Sequence, residues 1–150
     1  MAARSLKLPL HGADLLKLIP QAPPFVFVDS LLEVQDMEAL SAYRMPADHA
    51  LAQGGFVSAE ALLENMAQTG ALHQGYLASQ FNRPAPRGFI ASIDQASFHV
   101  LPPVESPLIT RFIFKQTVGQ IALAEAVIFF LEKKVAEAVF KIFHAEGSKA

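Results

Sequence analysis

The sequence predicts an α+β chain in which a curved antiparallel sheet of about six strands wraps around one central helix. Three observations carry this prediction. Residues 61–80 contain a single formal charge, Glu64, within a run dense in Leu, Ala and Met. Two segments before that run and four after Arg87 are rich in β-branched and aromatic residues, with turn-forming residues between them. No internal repeat or low-complexity tract points to a solenoid or a linker.

Taken in order, Asp14 to Ile19 can form a short helix, after which Pro20, Pro23 and Pro24 impose an extended path. PFVFVDSLLEVQ reads as a strand ending at the polar turn near Asp36, and ALSAYRM as its antiparallel return. PADHALAQGGF, with Pro46, Gly54 and Gly55 and no sustained period, is expected to be a loop. The long helix starts near Ser58, whose hydroxyl can cap it, and Glu60 sits in the first turn where the macrodipole favours negative charge. Leu62, Leu63, Met66, Gly70 and Leu77, with the small Ala67 and Ala71, distribute apolar groups around its circumference, the pattern of a buried helix that a sheet approaches closely.

Pro84, Pro86 and Gly88 in NRPAPRG end the helical region and reverse the chain. GFIASIDQASFHV, PLITRFIFKQ, IALAEAVIFFLE and KVAEAVFKIF then read as four strands, with hairpin turns at Val118 and Gly119 and at Glu132 to Lys134. Phe112 and Phe114 share one face of their strand, a core or interface pattern.

A chain of 150 residues is the size of one domain, 1–150, with a substantial core. It is 52% hydrophobic and only 17% charged, which implies apolar surface hidden in a subunit interface. The net charge of −2 and the lack of a basic run argue against a nucleic-acid partner. Without cysteine there is neither disulfide nor thiolate chemistry. MAARSLKLPLHGADLL has no long apolar stretch, so a secretory signal is not expected and a cytoplasmic protein is. Residues 65–82 are uncharged but carry Asn65, Gln68, Thr69, His73, Gln74, Ser79, Gln80 and Asn82, so no membrane span is expected. No metal-ligand spacing, phosphate-binding glycine loop or nucleophile elbow occurs, so neither a metal nor a cofactor is expected.

Three segments carry a family resemblance. IPQAPPFVFVDSLLEV is similar to a segment of Ile-Pro-His, a proline, apolar residues and then Val-Asp; ALLENMAQTGAL to a helix containing Leu-Glu-Ala-Met-Ala-Gln; GFIASIDQASFHVLPPVESPL to a strand Gly-(Ile/Val)-Asp-x-(Ala/Val)-x-Phe leading into a proline turn. In this order and spacing, from Ile19 to Phe143, they resemble the hotdog-fold 3-hydroxyacyl-acyl-carrier-protein dehydratases.

The resemblance implies a single hotdog domain in a homodimer, or in a heterodimer with a related dehydratase. It also implies an acyl carrier protein or coenzyme A thioester as substrate. In that family a helix carboxyl and a loop histidine from opposite subunits face each other across an acyl tunnel. The histidine takes the C2 proton and the carboxyl helps the 3-hydroxyl leave, giving a trans-2-enoyl thioester in fatty-acid or polyene-type synthesis.

Carried onto this chain, the helix acid is Glu64, and apolar surroundings would raise its pKa as the chemistry requires. The family histidine stands 14 residues before that acid; here that position is Ala50, and His49 lies one residue earlier as the candidate base. Gln68, one turn from Glu64, is a candidate to orient it and to bind substrate, and Gly54 and Gly55, standing in for the glycines that shape the family's loop, are further substrate-binding candidates. Gln21 occupies a position where many relatives have histidine, and Ser58 and Ala59 replace the Pro-Gly that opens their helix. His73 is expected on the side of the helix away from Glu64, and Asp29 and Asp94 in turn-stabilising or solvent-facing roles. Three functions follow: an active dehydratase, a non-catalytic dehydratase-like subunit paired with an active homologue, and a hotdog thioesterase in which Glu64 acts on water at the thioester carbonyl.

Overall fold

The computed structural model describes residues 6–86 and 88–144. Arg87, in the expected reversal NRPAPRG, and the first five residues of the expected non-secretory start lie outside them. The elements run β1 (Leu10–His11), α1 (Gly12–Leu16), β2 (Ser30–Val34), β3 (Glu38–Tyr43), β4 (Ala52–Gln53), β5 (Phe56–Val57), α2 (Ala59–Gln80), β6 (Gly88–Phe98), β7 (Leu108–Val118), β8 (Ile121–Phe130) and β9 (Lys133–His144). Seven of the strands form one antiparallel sheet in the order β1-β2-β3-β7-β8-β9-β6, and β4 and β5 pair separately. This is the hotdog fold: a broad sheet around one long helix.

The alternation of side chains along β7 to β9 is what seats the helix. Leu108, Thr110, Phe112 and Phe114 of β7, Ala122, Ala124, Ala126 and Ile128 of β8, and Ala136, Ala138 and Phe140 of β9 are buried, while Arg111, Lys115, Glu125 and Lys141 face out. Helix α2 begins where Ser58, itself buried, accepts a hydrogen bond from the Ala61 amide at 3.3 Å. It packs Ala61, Leu62 and Met66 into the main core, and Leu72 into a second cluster with Leu10, Leu15, Leu18 and Leu31. Helix and sheet come close at Gly70, where a Cβ would lie 2.7 Å from the Phe112 ring.

Two expectations change. Of PFVFVDSLLEVQ only Ser30–Val34 joins the sheet. Upstream of it the Phe27 amide donates to Gln68 Oε1 at 2.7 Å and the Phe27 carbonyl accepts from Asn65 Nδ2 at 2.7 Å, so helix side chains take the place of a neighbouring strand. The expected loop PADHALAQGGF contains the hairpin β4–β5, turned by Gly54 and Gly55 at φ of 59° and 86°. Its two-residue strands are too short to show alternation. Tight turns do form as expected at Gly119 and at Glu132, the latter with Leu131 also at positive φ.

Candidate active site

The buried side of α2 carries a polar patch as well as apolar packing. Asn65, Gln68 and Thr69 fall at i, i+3 and i+4, so they share a face, and each is at most 1% exposed. Thr110 Oγ1 donates to Asn65 Oδ1 at 2.5 Å, Thr69 Oγ1 donates to the Asn65 carbonyl, and Thr69 and Ser41 hydroxyls lie 2.7 Å apart. Gln68 Nε2 donates to the Phe25 carbonyl at 2.9 Å, completing a two-point bridge to segment 25–27. The i, i+3, i+4 spacing in the sequence is the signal by which Asn65 and its neighbours were open to discovery as a helix-to-sheet network.

Glu64 lies on a different stripe. Glu60 and Glu64 are exposed, and Leu63, Ala67, Ala71, Gln74 and Ala78 behind them are half-buried, so one face of α2 is open in the single chain. Of the apolar residues counted around the helix, Leu62 and Met66 are buried on other faces, whereas Leu63, Ala67 and Ala71 share the open face and do not cover the carboxylate. In the single chain the Glu64 side chain is therefore open to solvent. Gln68, expected to orient Glu64, spends both ends of its amide on the backbone of Phe25 and Phe27 instead.

The ring of His49 is held at both nitrogens. Nδ1 accepts from the Leu51 amide at 3.0 Å, which requires the hydrogen to be on Nε2, and Nε2 donates to the Pro24 carbonyl at 3.0 Å. The ring also packs 5.2 Å from that of Phe27. His49 thus ties the loop after β3 to segment 24–27 as a neutral imidazole with no lone pair left over. Gly54 and Gly55 are spent on the hairpin turn, and the Gly55 carbonyl accepts from the Val104 amide at 2.9 Å.

The other singled-out residues have structural surroundings. His73, 1% exposed, donates from Nε2 to the Gln35 carbonyl and accepts from Gln74 Nε2; burial holds its pKa below the ordinary histidine value. Asp29 accepts from the Arg44 amide at 2.7 Å, and burial raises its carboxyl pKa. Asp94 accepts from the Ser92 hydroxyl on the edge strand and lies 3.9 Å from Lys141 Nζ. Among the described residues no three His, Asp or Glu side chains converge as a metal site would require, and no helix is long and apolar enough to cross a membrane.

One cavity of about 690 Å³ opens between the C-terminal half of α2 and the sheet, with Ala67 and Gln68 at its edge, one turn beyond Glu64. A carboxyl-bearing helix and a cavity beside it, inside a hotdog sheet, point to the class of hotdog dehydratases and thioesterases. The ApeP-like family, described as ApeP dehydratase, matches residues 13–146, and the chain belongs to that family. In three dimensions it is similar to the dehydratase heterocomplex ApeI:P from Xenorhabdus doucetiae, with TM-score 0.77 and 14% identity over 89% of this chain and 91% of that one. It also matches an HP0420 homologue from Helicobacter felis (TM-score 0.66, 14% identity, 89% and 88% covered) and a hypothetical thioesterase with coenzyme A from Streptococcus pneumoniae TIGR4 (TM-score 0.63, 13% identity, 77% and 84% covered). No curated protein sequence matches the chain.

Proposed function

We propose that this chain is one half of a heterodimeric dehydratase that converts 3-hydroxyacyl thioesters, carried on acyl carrier protein, into trans-2-enoyl thioesters during fatty-acid or polyene-type synthesis. The observation that carries the heterodimer is His49: a ring whose Nδ1 accepts from Leu51 and whose Nε2 donates to Pro24 has no lone pair with which to remove a C2 proton. A related dehydratase supplies that base from its own loop. Glu64 is this chain's contribution, a carboxyl on the open stripe of α2 that becomes desolvated when the partner covers it. In the reaction the partner's histidine takes the C2 proton, the C2–C3 double bond forms, and the 3-hydroxyl leaves as water with the proton that Glu64 donates. The family match and the likeness to a dehydratase heterocomplex support this reading.

The test is dehydration of a 3-hydroxyacyl-carrier-protein thioester by this chain alone, by a related dehydratase from the same source, and by the two together. Turnover is expected from the mixture and not from this chain alone. In the mixture Glu64→Gln should lower the rate by about 10²–10⁴-fold, whereas His49→Asn, which keeps an acceptor for the Leu51 amide, should leave it nearly unchanged. Turnover by the chain alone that His49→Asn abolishes would overturn the proposal, and release of free acid in place of enoyl product would establish a thioesterase instead.

A further inference from the structure

The face of α2 that carries Glu64 leads along two cavities in succession. The first, of about 690 Å³, is lined on the helix side by Ala67, Gly70, Ala71 and Gln74 among others. The second, of about 350 Å³, is lined there by Gln74, Leu77, Ala78 and Phe81. Ala67, Ala71, Gln74, Ala78 and Phe81 stand three or four residues apart, so they form one stripe along the helix, and Glu64 precedes them on it. The sheet keeps the same order: Phe112 lies against Gly70, the Phe114 ring lies 5.1 Å from that of His73, and Thr117 and Gly119 line the second cavity.

Gln74, Pro86 and His144 line both cavities and therefore stand between them. The partition is held in place: Gln74 Nε2 donates to His73 Nδ1 at 2.9 Å, and the His144 amide donates to the Gln120 carbonyl at 2.8 Å. Where the rings of Phe112, Phe114 and Phe140 give way to this partition, a methyl group meets a carboxamide and an imidazole that it cannot hydrogen-bond. We infer that Gln74, Pro86 and His144 are specificity-determining residues that set acyl-chain length: the chain lies along α2 in the first cavity and its methyl end stops against them. Gln74 is ten residues beyond Glu64, about 15 Å along the helix axis. Contact between the chain end and the partition takes up about 4 Å of that distance. The remaining ~11 Å holds about nine carbon–carbon steps of an extended chain, each advancing about 1.25 Å for a bond of about 1.5 Å at a near-tetrahedral angle. With C3 beside Glu64, this corresponds to an acyl chain of about 12 carbons. That C3 sits beside Glu64 rests on the dehydratase reading; the partition rests on the two cavities alone.

Direct binding, without turnover, tests the inference. N-acetylcysteamine thioesters of saturated acids, of even length from 6 to 16 carbons and each below the concentration at which it forms micelles, are titrated calorimetrically into the purified chain. Affinity should rise by up to about fourfold per methylene while the chain lengthens within the first cavity. Beyond about 12 carbons it should level off or fall. Gln74→Ala and His144→Ala each open the partition into the second cavity and should carry the rise on to the longest chains; both are used because Gln74→Ala also removes a partner of the buried His73 ring. Ala71→Leu, which fills the first cavity nearer Glu64, should bring the break to shorter chains. A series without a break, a break that neither partition variant moves, or binding of no chain at all overturns the inference. A break that moves in the variants but lies far from 12 carbons upholds the partition and removes Glu64 from the thioester, and the dehydratase reading falls with it. A break near 12 carbons together with a mixed complex that does not dehydrate likewise removes only that reading.

Discussion

At Asn65 three elements meet through one side chain: α2, which carries it, segment 25–27 through the Phe27 carbonyl, and β7 through Thr110. Replacing Asn65 with Ala strands both partners in the core, and each buried unsatisfied group costs about 1–3 kcal/mol. The variant should lose about 2–4 kcal/mol, read as a lower urea midpoint at unchanged m-value. His73 makes a pH-dependent contribution. Its pKa is held below 6.5 by burial, against the opposing pull of the Gln35 and Asp36 carbonyls and the Asp36 charge. In the unfolded chain the ring titrates near 6.5, so between that value and the lower folded one the unfolded state binds more protons. The contribution is neutral above 6.5 and turns destabilising as pH falls through that window. A His73→Gln variant should show a shallower loss of unfolding free energy between pH 7 and pH 5 than wild type, and an unchanged slope would show that His73 does not titrate with folding.

At the scale of elements, α2 is shaped by where it has no side chain. At Gly75 an added Cβ would run into the Leu18 carbonyl, which is backbone, whereas at Gly70 it would meet the Phe112 ring. Alanine normally gains about 1 kcal/mol over glycine within a helix, but forcing α2 away from its neighbour costs about 1–3 kcal/mol. Gly75→Ala should therefore lower the melting temperature, and by more than Gly70→Ala, because a ring can tilt and a carbonyl in a packed segment cannot. A rise in melting temperature for Gly75→Ala would show that the segment around Leu18 is free to move. The helix start at Ser58 and the apolar packing around Gly70 were legible in the sequence, as were the four strands after the helix, because each depends on neighbours a few residues away. The path of residues 25–29 was not, since the groups that hold Phe27 lie 38 and 41 residues further along the chain.

For the whole molecule the telling feature is β6. This 11-residue strand ends the sheet, paired among the described residues only with β9, and Ile90 and Ile93 are 45% and 38% exposed. A long edge strand with exposed isoleucines is a template for pairing with another chain. We expect the purified chain to sediment as a dimer at micromolar concentration, joined through β6 so that two sheets become continuous. Addition of a related dehydratase should convert it to a heterodimer, and a monodisperse monomer in both conditions would refute a β6 interface.

By itself the sequence determined that one capped helix is enclosed by antiparallel strands and that a lone carboxylate, Glu64, interrupts the apolar run after its first turn, because propensity, capping and alternation act between residues close in the chain. Tertiary structure decided what the polar residues do. It turned Glu64 to the open stripe of α2, gave Gln68 to the backbone at Phe25 and Phe27, and engaged both nitrogens of His49. For Gln68 and His49 the physical reason is the same. A buried hydrogen-bonding group must find a partner wherever packing brings one, and that partner is set by the three-dimensional path of the chain rather than by local spacing.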